Sequence, residues 1–540
     1  MPRCAPLFGV ETEYAVTGLR HGAPLEREAV IHGMMHAARQ QLVHLPDFCS
    51  GGTFLENGSR FYIDCGQHPE MSSPECTDPC SVVRYVHAGH RIISQLAAAA
   101  AAQHGPGTEV ICSLCNVDYS DTQATWGSHE SYRHCMSPAI LQPQLVPHLV
   151  SRIIYTGAGG FQPLSAGLEF SLSPRIAHFQ CIESSDSTCR RGIYHTKNEP
   201  LSRDGSHRLH IICGESLCSQ TALFLKVGTT ALIVAMGEAG VNPGGDVQLE
   251  SPLQALRMFA ADPSCKKPAH MKNWRRMTAI EIQRHYLRQA EDHLHYSFMP
   301  SWATDVCLLW REVLDRLAED PPSTNRMLDW SLKYSLYADQ AAKMGIPWAR
   351  LTFWNEIANR LAIALRNAGV SEPLLRLEAI VGPNSPVREE ADRLTSFLRS
   401  KEMRWDDLRR ILGMRARFFE IDTRFSELGQ KGIFNALDAA GALQHRLDAV
   451  GDIEIATATP PAMGRAHIRG EAIRRLSAER GDWRCDWQNI TNFADGRVLD
   501  LSDPFVAEEV WRDSSVLELG ADTSRTRVLA YIERMRRGLS

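Results

Sequence analysis

The sequence predicts an α+β fold, and three observations predict it. From Pro6 to about Gly240, short segments that alternate polar and apolar residues are interleaved with stretches of helical period. From about Leu253 to Leu447 the period becomes helical, and after Pro460-Pro461 a last mixed segment runs to Ser540. A chain of 540 residues is also long for a single ordinary core. We expect one large unit over residues 1–450 and a small C-terminal domain over residues 451–540.

The first element is a strand. In Leu7-Phe8-Gly9-Val10-Glu11-Thr12-Glu13-Tyr14-Ala15-Val16, the residues Val10, Thr12, Tyr14 and Val16 alternate with the other set, so Glu11 and Glu13 share a face. At a rise of roughly 3.3 Å per residue the two carboxyl groups lie about 6.6 Å apart, a spacing suited to one or two hard cations that carry phosphate oxygens. The plain alternative is a half-exposed edge strand with a polar face. A second strand, Arg60-Phe61-Tyr62-Ile63-Asp64, follows the turn Asn57-Gly58 and sets Arg60, Tyr62 and Asp64 opposite Phe61 and Ile63. The stretch from Cys65 to Glu75 then adds His68, Glu70 and Glu75 on a backbone governed by Pro and Gly, a setting where functional side chains are commonly displayed. A third strand, Ser206 to Ile212, aligns Arg208 and His210 on one side. Arginine suits phosphate, and histidine suits a metal or a phosphoryl oxygen. Between these strands lie Gly127-Ser128-His129-Glu130 and Thr196-Lys197-Asn198-Glu199-Pro200, which taken singly read as solvated surface.

The helices follow from longer periods. Ser219 to Glu238 is almost wholly apolar apart from Lys226, so it reads as a helix buried against the sheet. Phe353, Ile357, Leu361 and Leu365 recur every four residues before Gly369 offers a C-cap, which makes them core. Pro383-Asn384-Ser385-Pro386 is a linker-like break. The alanine run from Leu96 to Ala102 has helical propensity and falls far short of the ~20 apolar residues of a membrane span.

Composition narrows the function. Hydrophobic content of 44%, charged content of 22% and a net charge of -5 give no basic excess, so no nucleic-acid partner is expected. Met1-Pro2-Arg3-Cys4-Ala5-Pro6 runs into a charged strand by Glu11, which leaves no room for a secretory apolar core, and a cytoplasmic protein without membrane attachment is expected. Fifteen cysteines, an odd number scattered from Cys4 to Cys485, argue for reduced thiols. Cys76 with Cys80 and Cys112 with Cys115 lack a second pair at zinc-finger spacing.

Resemblance carries the reading further. Gly9-Val10-Glu11-Thr12-Glu13-Tyr14, then Asn57-Gly58-Ser59-Arg60-Phe61-Tyr62-Ile63-Asp64 with His68-Pro69-Glu70 and Ser73-Pro74-Glu75, resembles the family of Pup ligases and Pup deamidase/depupylases. These enzymes attach a small ubiquitin-like modifier to lysines or remove it. The likeness continues through Gly127-Ser128-His129-Glu130, Thr156-Gly157-Ala158-Gly159, Arg191-Gly192-Ile193, Arg208-Leu209-His210 and Lys431-Gly432-Ile433-Phe434 to Arg465, Arg469-Gly470-Glu471 and Asp503-Pro504-Phe505.

The resemblance implies a glutamine-synthetase-like fold, in which an antiparallel sheet cradles ATP and Mg2+ and the small C-terminal domain helps bind the modifier. It implies Glu11, Glu13 and Glu70 as magnesium ligands, Tyr62 as a cradle wall, Arg208 and His210 as holders of the phosphates, and Asp64 as the catalytic carboxylate. The partners implied are a small Pup-like modifier and lysine-bearing protein substrates. The short interval from Tyr14 to Phe54 favours the ligase, whereas Ser72-Ser73-Pro74-Glu75 and Arg190-Arg191-Gly192-Ile193 lean toward the hydrolase. Ligase is the leading expectation. An ATP-requiring deamidase or isopeptidase, a noncatalytic modifier-binding adaptor and a small-molecule carboxylate-amine ligase are the alternatives. A helical insertion near residues 338–417 departs from the family pattern and reads either as neutral or as a docking surface.

Overall fold

In the computed structural model, residues 5–48, 50–120, 124–186, 190–196, 201–370 and 380–513 are described. Period-two alternation in the amino-terminal half becomes a nine-stranded sheet. Across the sheet the strands run Phe179–Ser184, Arg191–His195, His207–Ile211, Ser128–His134, Phe8–Glu13, Pro69–Ser72, Arg60–Ile63, Thr53–Leu55 and His44–Pro46. The first pair is parallel and every other pair is antiparallel. The expected α+β class and antiparallel cradle are therefore what the chain builds.

The first strand lies at the centre of this sheet, not at an edge. It ends at Glu13, earlier than the sequence suggests, because residues Ala15–Arg20 turn away to pair with Thr108–Ser113 in a separate three-stranded sheet. The alternation hides this break. Val10 and Thr12 are buried beneath the large sheet, while Tyr14 is buried in a different cluster with Met34, Leu96 and Cys112. Both environments ask for the same period of two.

Helices cover one face. Helix Pro79–Gln103 opens with Pro79 after Asp78, whose side chain accepts the Ser81 N–H at 2.8 Å, and the alanine run forms its last turns. Helix Gln220–Glu238 is the one described helix long and apolar enough to cross a membrane, and 94% of that stretch is buried within the protein. It joins Pro138–Ser151, Ala279–Asp292 and Ala303–Glu319 in the main core. A second core belongs to helices Asp329–Lys343, Trp348–Asn367, Arg388–Ser400 and Trp405–Phe425, where Ile357, Leu361 and Leu365 are buried and Gly369 follows the helix end at φ +67°. Lys333 ties this bundle down: its ammonium donates to Asp422 at 2.7 Å and to the Gly159 carbonyl at 3.0 Å.

The segment after Gly451 forms helix Gly464–Leu476 and a four-stranded sheet. Ile468, Ile473, Trp483, Ile490 and Leu499 share one apolar cluster with Leu45 and Phe54 at the far edge of the large sheet. Charge reinforces that contact. Buried Arg469 and Arg465 both donate to Glu75, the latter at 2.5 Å. Eleven described cysteines are free, but Cys135 is disulfide-bonded, which corrects the expectation of uniformly reduced thiols: an odd count never excludes a single pair.

Burial alone would raise the Glu75 carboxyl, yet the charges of Arg469 and Arg465 hold it down at about 2, below its ordinary 4.5. The stabilisation is complete above pH 4.5 and fades as the pH falls through about 2. Glu75→Gln, which leaves two buried guanidinium groups without their acid, is expected to cost about 3–5 kcal/mol in chemical denaturation at neutral pH. The difference from wild type should narrow as the medium is acidified below pH 4.5.

Candidate active site

Antiparallel register gathers the polar side chains. Cross-strand partners share a face, and Glu11 lies opposite His129 on one side and Ser72 on the other. Glu13 lies opposite Glu70, and Glu70 lies opposite Tyr62. Ser131 lies opposite His210, and Arg208 opposite Arg133. Every expected site residue except Asp64 thus stands on the sheet face away from the covering helices. Asp64 comes one residue too late for the strand, which ends at Ile63, and opens the tight turn that leads to Pro69. Its carboxylate accepts the His68 backbone N–H at 2.6 Å and faces His68 Nδ1 at 3.5 Å.

Imidazoles fill the gaps between the acids. His129 spans the first strand's pair, with Nδ1 3.5 Å from Glu11 and Nε2 3.6 Å from Glu13. His68 Nδ1 is 3.4 Å from Glu13, so this ring bridges Glu13 and Asp64. The Gly127 N–H donates to Glu13 at 2.9 Å. A Cβ at Gly127 would meet Arg175 Nη2 at 2.6 Å and His129 Nε2 at 2.8 Å, so only glycine lets the chain pass so close. The Arg60 guanidinium lies 4.0 Å over the Tyr62 ring, and Ser72 Oγ donates to the Tyr62 hydroxyl at 3.5 Å. The groove beside Glu11 has a cavity volume of about 100 Å³, opens to solvent, and is lined among others by Ser72, Ser131, Arg133, Arg208 and Trp487.

Titration follows from this crowding. Burial opposes ionisation of Glu11, but the His129 hydrogen bond and the charges of His129 and Arg208 hold its carboxyl well below the usual range. Glu13, buried likewise, is held at about 2 by its hydrogen bond with His68 and by the charges of His129 and Arg175. Glu70 goes the other way: burial and then the negative charges of Glu11 and Glu13 push it well up. Burial lowers His210 to about 3 against the pull of Glu11, so it is a neutral imidazole whose Nδ1 sits 3.2 Å from Ser131 Oγ. His68, despite burial, is raised to about 9 by its carboxylate partners.

The donor set can hold a divalent cation. Glu13, Glu70 and His129 each present a ligand atom, all within 4.8 Å of one another, and Glu11, His129 and His210 form a second such group. Glu70 is the telling member. A buried carboxyl raised by two neighbouring carboxylates is relieved by a cation, and oxygen donors suit a hard one.

Sequence reasoning missed two of these roles and one residue. His129 lay in a polar cluster that looked solvated, and His68 stood in a functional-looking stretch without a role, yet both side chains are only 12% exposed and bridge acids. The available signal was Gly127 directly before Ser128-His129. Arg175, 2% exposed, lies beneath Glu13 on a short 3-10 turn and donates to the Ile212 and Gly214 carbonyls at 2.5 and 3.1 Å, and nothing in its local sequence marks it. Of Thr196-Lys197-Asn198-Glu199-Pro200, residues 197–200 lie outside the described residues.

Fold and site together define an α+β protein with a cradle of acids and imidazoles on one face of a large sheet. The chain belongs to the Pup-ligase protein family, whose model matches residues 6–357 and 393–491. It is 29% identical to a Pup–protein ligase of Acidimicrobium ferrooxidans over 94% of this chain and 98% of that one. It is 35% identical to a depupylase of Acidothermus cellulolyticus over 56% of this chain and 61% of that one. A solved complex of the prokaryotic ubiquitin-like protein Pup and its ligase PafA superposes with a TM-score of 0.68 at 22% identity, covering 99% of this chain and 97% of that one. The Pup ligase PafA in complex with ADP gives a TM-score of 0.62, also at 22% identity, over 85% and 88%.

Magnesium added at about a hundredfold its dissociation constant is expected to stabilise the protein by about 2.7 kcal/mol, read as a rise in thermal midpoint. The double variant Glu13→Gln with Glu70→Gln should lose that rise. An equal rise in both proteins would place the cation elsewhere.

Proposed function

We propose that this chain is an ATP-dependent carboxylate-amine ligase that joins the side-chain carboxylate of the C-terminal glutamate of a Pup-like modifier to lysines of substrate proteins. The observation that carries this reading is the convergence of Glu11, Glu13 and Glu70 on one sheet face with Asp64 at its rim. Family membership and the near-complete span of the match to a Pup–protein ligase support it. So does the interval from Tyr14 to Phe54. Its described residues are taken up by a hairpin, helix Arg27–Gln41 and a short strand pair, with no long loop ahead of Arg60.

The chemistry follows from the poor electrophilicity of a carboxylate. ATP phosphorylates the modifier's terminal glutamate, and phosphate becomes the leaving group when a lysine amine attacks. Glu11, Glu13 and Glu70 are the residues that would hold magnesium, which when bound neutralises phosphate charge. Arg208 at the groove and neutral His210 hold phosphate oxygens, the one as a cation and the other as an N–H donor. Tyr62 walls the cradle beside Glu70. A lysine amine carries its proton near neutral pH, with a reference pKa of about 10.4, so the attacking nitrogen needs a base. Asp64 is that base. It stands at the mouth of the site, 16% exposed, with its carboxylate fixed by both the backbone and the ring of His68.

Residues 451–540 serve as the small C-terminal domain that helps bind the modifier, a role supported by Arg465 and Trp487 at the same groove. A depupylase reading shares the cradle and rests on the 35% identity to a depupylase.

Incubation with ATP, magnesium and modifiers ending in glutamate or glutamine, followed by mass spectrometry, separates the readings. Added modifier mass on a lysine is the expected result. Loss of ammonia from a glutamine terminus would mean deamidation, and cleavage of a preformed conjugate would mean depupylation. Asp64→Asn is expected to lower turnover by about 10²–10⁴ while nucleotide binding persists. Turnover at the wild-type rate in that variant would refute the role of Asp64.

A further inference from the structure

Far from the acidic cradle in sequence, strands Pro268–His270 and Arg276–Thr278 form a two-stranded hairpin with His270 opposite Arg276. Its inner side is anchored: Ala269, Met271 and Met277 are at most 5% exposed and belong to the main core. Its tip is fixed as well. The Met271 N–H donates to the Arg275 carbonyl at 2.9 Å, and the Asn273 side chain donates to the Asp246 carbonyl at 3.3 Å.

What this rigid tip displays is unusual. Trp274 is 92% exposed, the most exposed large hydrophobic residue described, and its backbone sits at φ +65°. A bulky residue in the left-handed region is a genuine outlier, and here no burial offsets the strain. Lys272, Arg275 and Arg276 flank it on the same hairpin, all exposed and without an ion pair among the described residues, while Lys266 and Lys267 stand at the base of the hairpin, where their backbone N–H groups donate to Asp262. Against them stand Asp246 and Glu250 at the flank, and Glu281, whose carboxylate is already taken by the N–H and hydroxyl of Thr278 at 2.7 and 3.0 Å.

We propose that this hairpin is a docking site for an acidic segment of a partner protein, with Trp274 seated on an apolar side chain and the surrounding cations paired with carboxylates. An exposed indole flanked by exposed cations matches the anchor-and-rim arrangement of protein interfaces. Charge complementarity selects an acidic partner. A nucleic acid fits less well, since the chain carries a net charge of -5 and the cations are confined to one hairpin. A lipid surface fits less well too, because a single indole offers little apolar area.

The test is fluorescence anisotropy of the full chain with a labelled fourteen-residue peptide of Asp and Glu around a central Leu-Phe pair. We expect saturable binding that weakens with salt and falls at least tenfold in Trp274→Gly and in the double variant Lys272→Glu with Arg275→Glu. Glycine suits the positive φ, so the thermal midpoint of Trp274→Gly should equal or exceed that of wild type, which separates lost docking from lost folding. Absence of peptide binding, or wild-type binding by Trp274→Gly, overturns the proposal. Tighter binding to a fourteen-nucleotide single-stranded RNA or to phosphatidylserine vesicles overturns it as well.

Discussion

Mutual repulsion among carboxylates is the constraint on which the arrangement of this protein turns. Glu11, Glu13, Glu70 and Asp64 approach one another where water is scarce, and each resolves the conflict differently. Glu11 and Glu13 keep their charge because His129 lies between them, and Glu13 is further held by the Gly127 N–H and by Arg175 below. Glu70, for which burial and the charges of Glu11 and Glu13 outweigh the Tyr62 hydrogen bond, is driven toward its neutral form. Asp64 shares His68 with Glu13. Such crowding is electrostatically unfavourable, and the surrounding structure must be rigid enough to bear it.

Rigidity comes from beneath. On the opposite face of the sheet Glu130 is fully buried and receives Arg152 Nη2 at 2.5 Å and Nη1 at 2.9 Å, with Lys226 at 3.8 Å. Lys226 in turn donates to Ser128 Oγ at 2.9 Å and to the Glu215 carbonyl at 3.0 Å. The single lysine of this largely apolar helix therefore pins the residue next to His129. Its buried ammonium is lowered to about 8, first by desolvation, with Glu130 opposing that fall. The acidic cradle above and the charge cluster below belong to the same two or three strands, one set of carboxylates lining the cradle, the other sealed in among the helices.

Much of this was legible in the sequence where short-range periodicity is the cause. Glu11 with Glu13, Arg60 with Tyr62, and Arg208 with His210 each fall on one face because a strand repeats every two residues. Helix Gln220–Glu238 and the buried positions Ile357, Leu361 and Leu365 followed from apolar content and a four-residue spacing. Register across the sheet was not legible. Glu13 meets Glu70 and Gly127 only because strands distant in the chain pair at one offset, which no local pattern encodes. Arg175, the end of the first strand at Glu13 and the bonded state of Cys135 were hidden for the same reason: each depends on what arrives from elsewhere.

One feature of the fold governs when this protein can come into being. Glu75, a few residues beyond the cradle, is gripped by Arg465 and Arg469, so partners separated by 390 and 394 positions must find each other. Trp487 completes the same groove wall. A nascent chain emerging from the ribosome carries Glu11 and Glu75 early but lacks the Arg465, Arg469 and Trp487 side of this groove until more than 390 further residues have followed. Truncated products would thus expose an unfinished and inert pocket. Closure of the groove therefore waits on residues made long after the acids it encloses.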